Sequence, residues 1–268
     1  MHPPPSYPNT TLFDELLIGL NVEGIEKSFK LTKNALFEQR ALVGVGQISR
    51  HRKKIFNNCH ILCMPEVQLQ SFREHFPKAN RIYFGYEQTP DHCTYKVYLE
   101  FWNQYAQNRT VDPTYNKPFM LYLGYKWDAS AKNTQNTLTR YILYPEISLQ
   151  TILEKIESIY KNHSEPLLLT LAQQIITSAS KRKDSRLFKY LEVTEDNNPR
   201  KSFDINLYEA EIKIQNIYSE LKMLQQHYNI DAQKFNIFYQ SIKHQEFGHL
   251  SGGVNKSEND FMTFYYCL

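Results

Sequence analysis

Between Arg81 and Tyr144 the chain carries four short segments written to one rule: RIYFGYEQ, TYKVYLEFW, FMLYLGYKW and LTRYILYP. In each, bulky apolar residues alternate with a set that mixes tyrosine with a single cation. Successive side chains of a strand point to opposite faces, so every segment presents one face of each kind. The tyrosine-and-cation face reads Arg81, Tyr83 and Gly85; Lys96, Tyr98 and Glu100; Tyr122, Gly124 and Lys126; Arg140 and Tyr144. The apolar face reads Ile82, Phe84, Val97, Leu99, Phe101, Leu121 and Leu123. Water-facing sheet surfaces favour short polar and mixed charged residues. Tyrosine has a large apolar body and a polar tip, which suits an enclosed polar face.

The rest of the chain repeats the pattern around helices. Met1–Thr10 reads as a disordered lead-in and 11–268 as a single domain. Helical spacing appears in 11–20 and again in about 23–40, where Ile25, Phe29, Leu36 and Phe37 recur. Residues 41–49 read as a strand, RHRKK (50–54) as a solvated turn, CHILCM (59–64) as a short strand and 67–76 as a helix. The hairpin 81–102 turns at TPDH (89–92), and the hairpin 119–145 turns around Asp128 to Gln135. The polar stretch 103–118 between them has no convincing period. Helices follow at 148–160 and 165–180, then a hairpin of 186–195 and 201–210 across DNNPR. Helices at 211–228 and after Asp231 precede a last hairpin, 248–254 and 260–268.

Ten strands in five antiparallel hairpins would leave two long edges in an open sheet. Closing them into a barrel removes the edges and turns the apolar faces outward against the helices. A ten-stranded lumen is too wide for side chains alone to fill, so it holds a ligand. The expected class is therefore α+β, a ten-stranded antiparallel barrel ringed by helices. Strand 201–210 obeys the same rule, with Phe203, Ile205 and Leu207 outward and Ser202, Asp204, Asn206 and Tyr208 inward.

Composition narrows the function. The 268 residues carry 19 Tyr and 16 Phe against 2 Trp, the signature of a wet cavity or interface. A net charge of +3, with Glu87, Glu100 and Asp204 on the cation-bearing face, argues against a nucleic-acid surface. Cys59, Cys63, Cys93 and Cys267 fit neither a zinc spacing nor a disulfide framework. No apolar run reaches the about 18–20 residues of a membrane span, and MHPPPSYPNT lacks a signal-peptide layout, so a cytoplasmic protein is expected. There is no G-x-G-x-x-G, Walker loop or Asp-rich DDxxD cluster, and GHLSGG does not form a nucleophile elbow. His244 and His249 have no third metal ligand nearby in the sequence.

Helix–strand–strand–helix repeats with Lys96–Val97–Tyr98, Arg140 with Tyr144, Lys189–Tyr190 and a tyrosine-rich last strand, Phe264–Tyr265–Tyr266, resemble the ABBA-type (PT-barrel) aromatic prenyltransferases. Two features depart from the repeat: no helix is evident in 103–118, and Ile142 stands where an inward tyrosine would follow Arg140. The resemblance implies transfer of an allylic group from a prenyl diphosphate to an electron-rich acceptor, a peptide side chain or a small aromatic or nitrogenous compound. It implies a diphosphate clamp of Arg81, Lys96, Lys126, Arg140 and Lys189, because a polyanion needs converging cations. Tyr83, Tyr98, Tyr122, Tyr144, Tyr208 and Tyr265 would shield the allylic cation through π-faces worth ~0.5–2 kcal/mol each. Glu100 and Asp204 are the candidate catalytic carboxylates, with Glu87 a third inward choice. No metal site of the protein's own is expected; any Mg2+ would arrive on the diphosphate. The chain stops at the tenth strand, which suggests a barrel end open to a bulky acceptor, as in the small bacterial branch that includes the cyanobactin prenyltransferases. The competing reading is a non-catalytic barrel that binds an apolar or anionic ligand.

Overall fold

The period-two alternation becomes a closed wall. The structure, a computed structural model, describes residues 10–89, 93–128, 137–161, 166–196, 198–254 and 259–267. The lead-in and the centres of the 89–92 and 128–135 turns lie outside these residues. Along the chain run α1 (Thr10–Leu17), β1 (Asn21–Thr32), β2 (Ala35–Phe37), β3 (Arg40–Gly46), α2 (Arg52–Ile61), α3 (Glu66–His75), β4 (Arg81–Gln88) and β5 (Cys93–Glu100). Next come α4 (Trp102–Val111), β6 (Phe119–Asp128), β7 (Thr137–Tyr144), α5 (Leu149–Tyr160), α6 (Leu167–Ser180), β8 (Lys189–Glu195) and β9 (Asn198–Asn206). The last elements are α7 (Tyr218–His227), α8 (Ala232–Ile242), β10 (Glu246–Val254) and β11 (Asp260–Cys267).

Strands β3 to β11 pair in sequence order, and β1 joins β3 to β11, so ten antiparallel strands close into a barrel. The closing seam runs from Glu26 opposite Cys267 to Leu31 opposite Met262. Strand β2 is a three-residue tab beside β1. Because neighbours are antiparallel, the helix-bearing connections all lie at one end of the barrel, called here the mouth. The hairpin turns β4–β5, β6–β7, β8–β9 and β10–β11 lie at the other, the floor.

The apolar faces point outward as expected. Val97, Leu99, Leu123, Tyr125 and Trp127 pack with Ile55 and Cys59 of α2 and Leu69 and Phe72 of α3. Phe29, Phe203, Ile205, Phe247 and Phe264 pack with residues of α5 to α8, among them Ile152, Leu171, Leu221 and Phe235. Trp127 is fully buried and donates its indole N–H to the Leu62 carbonyl at 2.7 Å.

Four local expectations need correction. Residues 23–40 form β1 and β2 rather than a helix; Phe29 and Leu31 face out while Ser28 and Lys30 face in, and pairing with β3 and β11 overrides the accidental helical spacing. Residues 59–64 are not a strand, because α2 runs through Cys59 to Ile61; Ile55, Asn58, Cys59 and Leu62 are buried at helical spacing. Only Arg50 and His51 of RHRKK precede that helix; Arg52, Lys53 and Lys54 form its first turn. The stretch 103–118 holds α4, whose one buried residue, Tyr105, is too little to write a period into the sequence. The expected count of ten barrel strands survives because β1 replaces the lost strand at 59–64.

Truncating Trp127→Ala is expected to destabilise the fold by about 3–5 kcal/mol, the range for emptying a large aromatic site. Urea unfolding measures it; a loss below ~1 kcal/mol would contradict the packing of the outer wall.

Candidate functional site

Every second residue of the wall points into the lumen, and with the mouth residues these enclose a cavity of about 370 Å³. Its chemistry changes along the barrel axis.

At the floor, β3, β4 and β5 set Arg40, Glu87 and Lys96 side by side: the ladder pairs Arg40 with Glu87, and Gly85 with Lys96. Glu87 bridges the two cations, with Oε1 2.5 Å from Arg40 Nη1 and Oε2 accepting from Lys96 Nζ at 2.8 Å. Arg40 Nε also donates to Ser28 Oγ at 3.1 Å. Lys30, on the same inward face of β1, adds its field to the group. Burial opposes ionisation of Glu87, yet Arg40, Lys96 and Lys30 hold its carboxyl well below the usual range. Burial, with the positive charge of Arg40, pulls Lys96 down to about 8. Beside them, Lys126 lies opposite Lys96 on the ladder and meets Glu195 at 3.6 Å.

The middle of the barrel is a tyrosine girdle. Tyr83 and Tyr122 meet edge to face at 5.9 Å, Tyr122 and Tyr141 at 6.2 Å, and Tyr98 and Tyr141 at 5.7 Å. Tyr265 also lines the cavity. Gly124 is what lets the Tyr98 ring lie against the wall, since a Cβ there would stand 2.8 Å from two ring carbons.

The mouth is acidic. Glu100 accepts from Tyr83 and Tyr122 hydroxyls at 3.2 and 3.3 Å and from Asn80 Nδ2 at 2.8 Å. Arg81 pairs with Glu23 at 2.6 Å and stands 3.9 Å from Glu100. Asp204 lies 2.8 Å from His249 Nδ1, and Tyr208 donates its hydroxyl to Glu26 at 2.6 Å. Burial raises the Glu26 carboxyl, against the opposing pull of His249. An apolar wall of Leu121, Leu143 and Leu191 packs with Tyr105 of α4. Exposed Lys189 holds its ammonium 4.8 Å from the centre of the Trp102 ring.

Most residues expected at the site do face the lumen, but not as one patch. Lys96 and Lys126 sit at the floor, Arg81 and Lys189 at the mouth. Tyr83, Tyr98, Tyr122 and Tyr265 line the cavity, as do Glu100, Asp204 and Tyr208. Arg140 and Tyr144 do not. Arg140 pairs with Asp196 away from the cavity, and Tyr144 donates to Glu192 at 2.7 Å on the outer wall beneath Lys155 of α5. The reason is register: β7 pairs Tyr141 with Tyr122 and Thr139 with Gly124, so Thr139, Tyr141 and Leu143 face inward. A bulge in β6 between Met120 and Tyr122 brings Leu121, expected outside, into the cluster beside the mouth.

Sequence reasoning missed Arg40, Ser28 and Glu26, because 23–40 read as a helix. The available signal was the alternation of Ser28 and Lys30 with Phe29 and Leu31. It also passed over Tyr141, and over His249, which shares the parity of Ser251 on β10.

No protein-family model matches the sequence, and no curated protein matches it. Solved structures do. A prenyltransferase, PriB in its apo form, aligns with TM-score 0.59 at 9% identity, over 91% of this chain and 80% of that one. A 6-dimethylallyl tryptophan synthase aligns with TM-score 0.59 at 11% identity, over 91% and 81%. AnaPT from Neosartorya fischeri aligns with TM-score 0.50 at 10% identity, over 91% and 78%. This chain has the fold of the ABBA-type prenyltransferases. Within that PT-barrel, Phe13 and Leu16 of α1 pack on the outer wall, and β1 and β3 form part of the wall itself.

The floor of the PT-barrel makes its own test. Glu87→Gln would leave Arg40 and Lys96 buried together without their shared counter-ion, at a cost of about 3–5 kcal/mol. Glu66→Gln removes the exposed partner of Arg73 and is expected to cost about 0–1 kcal/mol. Equal losses for the two in urea unfolding would refute the difference.

Proposed function

We propose that this chain is a prenyltransferase that binds a prenyl diphosphate with its diphosphate at the barrel floor and an electron-rich acceptor at the mouth. The observation that carries the reading is the ordering of charge along one enclosed lumen. Lys30, Arg40, Lys96 and Lys126 gather around Glu87 and Glu195 at the floor, five tyrosines line the middle, and Glu23, Glu26, Glu100 and Asp204 hold the mouth. A diphosphate entering the floor finds more cations than carboxylates, in a setting where charge is poorly screened. When the bond from C1 of the prenyl group to the diphosphate oxygen breaks, its electron pair leaves on the diphosphate, where Arg40 and Lys96 stabilise it. The allylic fragment then lies among the rings of Tyr98, Tyr122, Tyr141, Tyr265 and Tyr83, whose π-faces stabilise positive carbon by ~0.5–2 kcal/mol each. The acceptor's nucleophilic atom approaches from the mouth and forms the new bond to C1.

Among the described residues no group of three His, Cys, Asp or Glu could hold a metal ion. No described helix is long and apolar enough to cross a membrane. The acceptor classes that fit an acidic, partly apolar mouth are peptide side chains and small aromatic or nitrogenous compounds.

The deciding experiment incubates the protein with dimethylallyl or geranyl diphosphate and a panel of Trp, Tyr, His and Arg compounds, read by mass. A gain of one prenyl unit is expected; no gain with any acceptor would leave a barrel that only binds its ligand. Lys96→Ala is expected to weaken a thiolo-diphosphate analogue by about 10–100-fold, the worth of one charged hydrogen bond, with the protein still folded. Because burial and the charge of Arg40 pull Lys96 down to about 8, affinity is expected to be full below that pH and to fall as the pH rises through it. Lys96→Arg should flatten that fall; an identical profile for the two would contradict the role given to Lys96.

A further inference from the structure

We propose that His249, held by Asp204, is the group that takes the acceptor's proton; this rests on the prenyl-transfer reading above. The two residues come from adjacent strands, β10 and β9, and His249 Nδ1 lies 2.8 Å from Asp204 Oδ1. The tautomer follows from Asn206, whose Oδ1 accepts the Tyr208 backbone N–H at 3.1 Å. That bond turns the Asn206 amide nitrogen toward His249 Nε2, 3.0 Å away. A donor facing Nε2 means that in the neutral ring this nitrogen carries the lone pair, and the ring proton is on Nδ1, bonded to Asp204. His249 is therefore a base oriented by a carboxylate, with its ring on the cavity wall.

The groups around the ring make it a strong base. Glu26 of β1 stands 3.7 Å from Nε2. Tyr208 and Tyr265 lie with ring centres 5.5 and 5.6 Å away, Cys267 bonds to the Tyr208 hydroxyl at 2.9 Å, and Lys189 of β8 acts at longer range. Burial and Lys189 disfavour the imidazolium, but Glu26 and Asp204 outweigh them and raise its pKa to about 9. Glu100 is the poorer candidate. Its carboxylate already accepts from Tyr83, Tyr122 and Asn80.

In the transfer step the acceptor's electron pair forms the bond to C1, and the C1–oxygen pair leaves on the diphosphate. The proton on the acceptor's reacting atom passes to Nε2, displacing the Asn206 contact, and Asp204 balances the imidazolium that results. The proton then returns to water at the mouth.

The test measures prenyl transfer against pH at saturating prenyl diphosphate, where a bound anion keeps Lys96 protonated. The wild-type rate should climb with pH up to about 9, and His249→Gln should lose this limb and about 100-fold or more in rate. The same variant should still bind the non-reactive thiolo-diphosphate analogue within about twofold, and added imidazole should partly restore His249→Ala. A His249→Gln protein with the wild-type rate and pH limb would overturn the proposal. So would a slow variant that keeps the limb and whose alanine counterpart gains nothing from imidazole, since that is a structural role. If the wild type itself neither binds the analogue nor transfers a prenyl group, the functional reading falls and this proposal falls with it.

Discussion

The pairing of β1 with β11 is the contact on which the rest depends. Without it, β1 would pair with β3 alone, and an open ten-stranded sheet would expose two edges of unpaired N–H and C=O groups. With it, every neighbouring pair is satisfied around the ring, and the inward faces of first and last strands become one surface. Ser28 comes opposite Tyr265 and Glu26 opposite Cys267 across that seam. Tyr208 then meets Glu26, a contact that joins residues far apart in the chain.

Closure also creates the electrostatic environment. A charge on an open sheet is screened by water; inside a barrel the same charge must find a counter-ion or shift its proton affinity. Both happen here. Glu87 is held ionised between two cations, Lys96 yields its proton more readily than a free lysine, and His249 holds one more tightly. The segregation of cations to the floor and carboxylates to the mouth gives the lumen a direction, and the proposed positions of the diphosphate and the acceptor follow from that direction.

The strands 81–88, 93–100 and 122–128 were legible because each is both locally patterned and locally paired. Lys96 and Tyr98, or Tyr122 and Lys126, alternate with buried Val97, Leu99, Leu123 and Tyr125, and only one assignment of faces suits them. The parity of β7 was not legible. Arg140 and Tyr144 form as plausible an inward set as Thr139, Tyr141 and Leu143, and the choice was made by the register with β6, which sets Tyr141 opposite Tyr122. β1 was hidden for a different reason. Its partners include the far end of the chain, and non-local pairing leaves little trace in a local window. The helix α4 was hidden by burying almost nothing.

What the sequence determined by itself was the wall: alternating strands in hairpins, enough of them that closure was the economical way to lose two edges, with tyrosines and cations on the enclosed side. Which charges share a site was decided only by the tertiary structure. Side-chain period tells which face a residue takes, but distance along the axis depends on strand stagger and on which strands become neighbours. That is why five expected cations separate into a floor pair, a mouth pair and one outside the barrel. It is also why Arg40 and Glu26, unremarked in their own stretch of chain, and His249, weighed there only as a metal ligand, end up on the cavity wall.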